Sequence, residues 1–182
     1  MKNANPVSCT YKVAVVASAL LFSACGQVES AAGKSIVVKE PKSVADWFTL
    51  NLGGKSLRMQ LAVRPKELEH GLMDRRDLGV DDAMVFVFER SQPMSFWMRN
   101  TPTPLDIAYF SSEGVLMEYY PAYPFDEKSL SSRSQRLQFV VETNQGWFRT
   151  NGIKPGARLD LKALGAALTA RGFDPRKFGL EP

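Results

Sequence analysis

The run AMVFVF, Ala83 to Phe88, is apolar at every position. Successive side chains of a strand point to opposite faces, so a strand without a polar position has to be covered on both. Around it lie further short strand-like runs. WFTLNL and GGKSLRMQLAV read as a hairpin turning at Gly53-Gly54. In its second arm Leu57, Met59, Leu61 and Val63 alternate with Ser56, Arg58, Gln60 and Ala62, the pattern of a half-buried strand. SFWM, LDIAYF and VLMEYYPA follow, the last two joined at Gly114. RLQFVVET carries Leu137, Phe139 and Val141 on one face, and ARLDLKAL closes the set.

RPKELEHGLMDRRDLG changes period. Pro65 suits a first helical position, Glu67 and Glu69 suit a helix N-terminal half, and Leu68 and Leu72 share a face. Gly71 inside such a helix costs about 1 kcal/mol relative to alanine, which points to another element passing close behind it. NQGWFRTNGIKPG reads as a helical turn and loop, YPFDEKSLSSRSQ as a polar loop, and GAALTARGF onward as a weak surface helix. The expectation is a mainly β (α+β) domain over residues 46–163. It is a compact barrel-like or rolled antiparallel sheet of about eight short strands with one or two short helices, not a βαβ fold. Residues 164–182 form its tail.

The N-terminus belongs to no core. Lys2 and Lys12 precede a ten-residue apolar run, Val13–Phe22, about half of what a bilayer-spanning helix needs. Small residues and Cys25 follow, so residues 1–24 read as a signal peptide. LLFSACG resembles the lipobox of bacterial lipoproteins, with Phe22 where leucine is usual. The resemblance implies lipidation of Cys25, a tether over residues 25–45, and sorting to the periplasmic face of the outer membrane, because Gly26 stands where a retention aspartate would. Within the tether SIVV reads as a short edge strand. Cleavage removes Cys9, Lys2 and Lys12, leaving 21 basic against 19 acidic residues, a net +2. That balance gives no reason to expect a nucleic-acid partner.

Four segments, GLMDRRDL, AMVFVF, FWMRNTPTPLDIAYF and FVVETNQGWFRTNGIKPGARL, resemble in order those of the bacterial and archaeal domain-of-unknown-function family 192. The pattern runs GLM-x-R, GM-x-F-x-F, FWM-[KR]-NT-x-x-PLDI, E-x-x-x-G and GIK-x-GD. Ala83, Gln145 and Ala157 depart from it, at positions where glycine, alanine and an acidic residue are usual. The resemblance implies a small β-rich domain, often exported, and no particular activity.

Chemistry is sparse. His70 is the single histidine, too few for a catalytic zinc site, and Asp81-Asp82 and Asp126-Glu127 are too scattered for a calcium loop. There is no G-x-S-x-G elbow and no phosphate-binding glycine loop. No metal or cofactor is expected. Arg75, Arg99, Asn100, Thr101 and Asp106 remain, polar groups set among apolar strands. Asp106 lies in a run that reads as buried, where a carboxylate needs a partner. It is either an internal ion pair, with Arg75 for instance, or part of a pocket with an arginine. Pro102 and Pro104 force extended geometry at Thr101 and Thr103, so NTPTP is a rigid bend. Phe96 and Trp97 belong to the core or stack a sugar ring beside the bend, with Trp147 and Phe148 lining the same cavity.

Three readings follow. The first is a lipid-anchored envelope protein binding a small polar ligand, a glycan or an envelope partner through Arg75, Trp97, Arg99, Asn100 and Asp106. The second is a cofactor-free hydrolase or lyase, with Asp106 as acid–base and Arg75 or Arg99 holding an anion. The third is a structural or assembly accessory lipoprotein.

Overall fold

The structure, a computed structural model, describes residues 40–181. The signal peptide, Cys25, the SIVV run and most of the tether lie outside the described residues. β1 (Phe48–Leu52) and β2 (Lys55–Ala62) form the expected hairpin, and Gly53 and Gly54 both take positive φ at its turn. The chain then passes through α1 (Pro65–His70) into β3 (Asp82–Gln92). β4 (Ser95–Phe96), β5 (Leu105–Phe110), β6 (Leu116–Ala122), β7 (Leu130–Ser131) and β8 (Leu137–Asn144) follow. Two helices, α2 (Trp147–Thr150) and α3 (Leu161–Ala170), and a 3-10 turn at Pro175–Phe178 complete it.

Six strands make one sheet in the order β1-β2-β3-β8-β5-β6, and β4 and β7 make a separate two-stranded ribbon. The fold is mainly β, and the large sheet is rolled without closing. Its edge strands β1 and β6 do not pair with each other. Residues 156–160 run between them instead. Gly53 N donates to Arg158 O and Asp160 N to Asn51 O on one side; Leu159 N donates to Gly114 O and Leu116 N to Ala157 O on the other.

Both faces of the sheet are covered, as AMVFVF requires. Ala83, Val85 and Val87 point into one apolar cluster with Phe110, Val141 and residues of α2 and α3. Met84 and Phe86 point into a second cluster with Leu72, Ile107, Tyr109 and Val140. α1, the β4–β7 ribbon and the NTPTP bend lie on this second side.

Four expectations need correction. The sheet is not wholly antiparallel: β2 and β3 pair in parallel, Arg58 opposite Asp82 and Ala62 opposite Phe86. A parallel pair needs a crossover, and α1 supplies it, so one βαβ unit is present. ARLDLKAL is not a strand. It makes two isolated bridges, after which the Asp160 side chain accepts from Ala163 N and starts α3. The residues after 163 do not lie on the surface, since Leu164, Leu168, Phe178 and Leu180 are buried in the first cluster. Gly71 is not inside a helix but caps it at φ 50°. The close approach is real, because a Cβ on Gly71 would meet Phe86 Cζ at 3.0 Å.

Arg171, at the end of α3, is 1% exposed. Its guanidinium donates to Leu61 O of β2 and, at 2.7 Å, to Glu67 of α1. Glu67 in turn accepts from Val63 N and Arg64 N, both at 3.0 Å, closing the N-terminus of α1. One buried cation thus ties the last helix to the sheet and to α1. Arg171→Ala leaves this cluster unbalanced and is expected to cost about 3–5 kcal/mol, read as a lower urea midpoint at unchanged slope.

Candidate functional site

The NTPTP bend organises the second face. Asp74 N donates to Asn100 O at 2.8 Å, Thr103 Oγ1 to Arg75 O at 2.6 Å, and Met98 N to Asp126 O at 2.8 Å. Phe125 N donates to Thr101 O at 3.2 Å. Asp74, Asn100 and Phe125 are the three non-glycine residues with positive φ among those described, and all three sit in this knot. Strained backbone of this kind persists where the surroundings over-determine it, and it concentrates at binding sites.

Between the bend, α1 and the sheet lies a cleft of about 420 Å³. Leu68, Leu72, Phe86, Phe88, Met94 and Phe96 give it apolar walls. Phe96 packs edge-on against Phe86 at 5.1 Å and Tyr109 at 6.0 Å, which fixes the wall. The polar groups are Glu69, His70, Gln92, Ser95, Thr101 and Glu142. A second hollow of about 390 Å³ shares Glu69, His70, Met73 and Trp97 with the first and adds Lys66, Arg99 and Asn100. The two are compartments of one groove.

Glu142 is the unexpected member. It sits in the middle of central strand β8, opposite Met84 on one side and Ile107 on the other, and is 4% exposed. Among the described residues it has no ion-pair or hydrogen-bond partner, and burial alone pushes its carboxyl up to about 8. At neutral pH it is mostly a neutral acid that can donate a hydrogen bond into the cleft. Gly71 lies directly across from it, its Cβ position 3.9 Å from Glu142 Oε2. The E-x-x-x-G segment and the glycine of GLM are thus neighbours in space.

The sequence-derived candidates separate. Trp97, Arg99 and Asn100 come together in the outer compartment. Trp97 is 42% exposed, and the Arg99 guanidinium stacks on its ring at 5.4 Å. Arg75 and Asp106 are elsewhere and do not pair. Arg75 donates to Asp77 at 2.6 Å and to Gln60 Oε1 at 2.9 Å. Asp106 is buried on the opposite face, where its carboxylate accepts from Gly146 N at 2.9 Å at the start of α2. Burial raises its carboxyl above the usual range, and the backbone N–H groups of Gly146 and Phe148 together with Arg149 oppose the rise. Asp106 is therefore a cap for α2, neither the expected Arg75 partner nor a pocket acid. Trp147 and Phe148 also lie in the first cluster and do not line the groove. Among the described residues no group of three or more His, Cys, Asp or Glu is placed to hold a metal ion.

A rolled mixed sheet with a groove between its crossover helix and a strained bend defines a small α+β domain. The chain belongs to the DUF192 family (uncharacterized ACR), whose model matches residues 48–161. Two crystal structures are similar. One, from Sinorhizobium meliloti 1021, is a protein provisionally described as a transcription regulator. It is 33% identical over 65% of this chain and 96% of that one, with a TM-score of 0.61. The other is a protein of unknown function from Novosphingobium aromaticivorans DSM 12444, 34% identical over 63% of this chain and 83% of that one, TM-score 0.57. No curated protein matches the chain.

Folded Glu142 holds its proton more tightly than an unfolded glutamate does. Its contribution is therefore most favourable below the ordinary value near 4.5 and is lost as pH rises towards about 8. Glu142→Gln is expected to be nearly neutral at pH 5 and to stabilise the domain by about 2–4 kcal/mol at pH 9, measured by chemical denaturation across that range. Asp106→Ala leaves the partly buried Gly146 N–H at the start of α2 without its acceptor and is expected to cost about 1–3 kcal/mol; an unchanged denaturation midpoint would remove Asp106 as a fastening for α2.

Proposed function

We propose that the protein is a lipid-anchored envelope protein whose domain binds a small, partly apolar molecule in the groove over Glu142. The observation that carries the binding reading is Glu142 itself. A carboxyl that is buried, partnerless and open to a cleft destabilises the fold above its ordinary titration range, and such a group is the mark of a ligand site. Of the earlier candidates, Trp97, Arg99 and Asn100 stay with this reading; Arg75 and Asp106 leave it. The anchor rests on the leader alone: the charged start, the short apolar run and Cys25. The regulator description of the Sinorhizobium protein is not carried over, because the net +2 of residues 25–182 offers little attraction to a phosphate backbone.

A second reading keeps the same groove and makes it catalytic. An acid that titrates near neutrality is suited to proton transfer, so Glu142, in place of Asp106, is the residue on which a hydrolase or lyase would turn.

Amide shift mapping with a fragment library tests the site. Hits are expected to cluster on Leu68–Met73, Phe86, Trp97 and Glu142, and perturbations confined to the Trp147 face would overturn it. For the anchor, Cys25→Ser is expected to abolish lipid labelling and release the protein from membranes; a mutant that still fractionates with membranes rules the lipid out.

A further inference from the structure

The charges around the groove narrow its ligand, an inference that rests on the binding reading above. We infer that the ligand is an amphipathic organic anion. Its carboxylate or phosphate is held by Arg99 and Lys66 beside Asn100, and its apolar body lies past Trp97 along Phe86 towards Glu142.

Three observations converge on this. First, the two compartments are continuous through Glu69, His70, Met73 and Trp97, so one molecule can occupy both. Second, the outer compartment carries two cations, Lys66 and Arg99, against one carboxylate, Glu69. Neither cation is in an ion pair among the described residues, so both charges are available to a ligand in the groove. Stacking on Trp97 holds the Arg99 guanidinium at the junction of the compartments, where a planar fork suits a carboxylate or phosphate. Third, the inner compartment is walled by apolar and aromatic side chains, and its one buried acid is uncharged at neutral pH, so it does not repel an anion and can donate to a carbonyl or hydroxyl on the ligand's tail. An inner carboxylate at its ordinary value would have favoured a cation instead.

Titration calorimetry at pH 7 with the domain, using octanoate, octyl phosphate, octanol and octylamine, decides the matter. Acetate and inorganic phosphate serve as head-only controls. Both eight-carbon anions are expected to bind, with octanol and octylamine at least about tenfold weaker and the head-only ions weaker still. Octanoate against octyl phosphate separates a carboxylic acid from a phosphate ester as the source of the head group. Arg99→Gln and Lys66→Gln, both at exposed positions, are expected to weaken the anions by about tenfold each and to leave octanol unchanged. Equal affinity for octanol, or indifference to Arg99→Gln, overturns the anion assignment while leaving the groove as the site. Acetate binding as tightly as octanoate overturns the amphipathic part. Octanoate binding unchanged by Leu68→Trp, which adds bulk at a half-buried wall of the inner compartment, overturns both the anion assignment and the groove; no octanoate binding at all overturns the assignment alone, since the fragment mapping reports on the groove independently.

Discussion

Over their buried stretches the central strands β3, β8 and β5 are covered on both faces, and a polar group placed there has to be dealt with inside the protein. Of the three buried carboxyls on these strands, Asp82 pairs with Arg58 at 2.8 Å, while Asp106 and Glu142, on neighbouring strands, resolve the constraint differently. Asp106, on the first face, is given backbone N–H groups at the start of α2 and becomes a fastening for the Trp147–Phe148 turn. Glu142, on the second face, is given an opening and, among the described residues, no partner. The sheet supplies the same low-dielectric setting to both; what differs is whether a helix or a cleft meets the side chain. A fastened acid and an acid facing a cleft thus arise from one architectural cause.

The bend Asn100–Pro104 joins the two roles that a rigid polar corner can have. On its inner side Thr101 and Met98 are buried and bonded into the knot with residues 123–126. On its outer side Trp97, Arg99 and Asn100 line the groove. Prolines fix the path, so the outward residues are presented without a further loss of backbone entropy when a molecule arrives. Corner and groove wall are the two sides of the same turn.

Much of this was legible in the residues. The unbroken apolar run of β3 demanded cover on both faces, and the turn glycines marked the hairpins. The long FWM-to-PLDI stretch marked the family. Other parts were hidden for identifiable reasons. Strand pairing partners are not written in local period, so the parallel β2–β3 pair was invisible. ARLDLKAL alternates well enough to read as a strand, while Leu161, Leu164 and Leu168 within and beyond it already carry the helical spacing of α3. Glu142 was missed because RLQFVVET looks half-buried. Placing that strand beside β3 would have shown that its second face cannot be wet. Asp106 was recognised as buried but given the wrong partner, because a backbone N–H leaves no trace in a sequence.

The segment that spans the sheet's two edges has a consequence for how the chain can be assembled. Its hydrogen bonds join Gly53 to Arg158, and β3 has to wait for β8, whose residues follow some fifty positions later. Long-range pairings of this kind are closed late and slowly. A polypeptide emerging from a ribosome therefore holds the AMVFVF strand beside β2 but without β8 while some fifty further residues are delivered. The roll becomes a folded object only when the final third has been delivered. The order of synthesis and the order of assembly are uncoupled, and the intermediate most in need of a chaperone is the nearly complete chain.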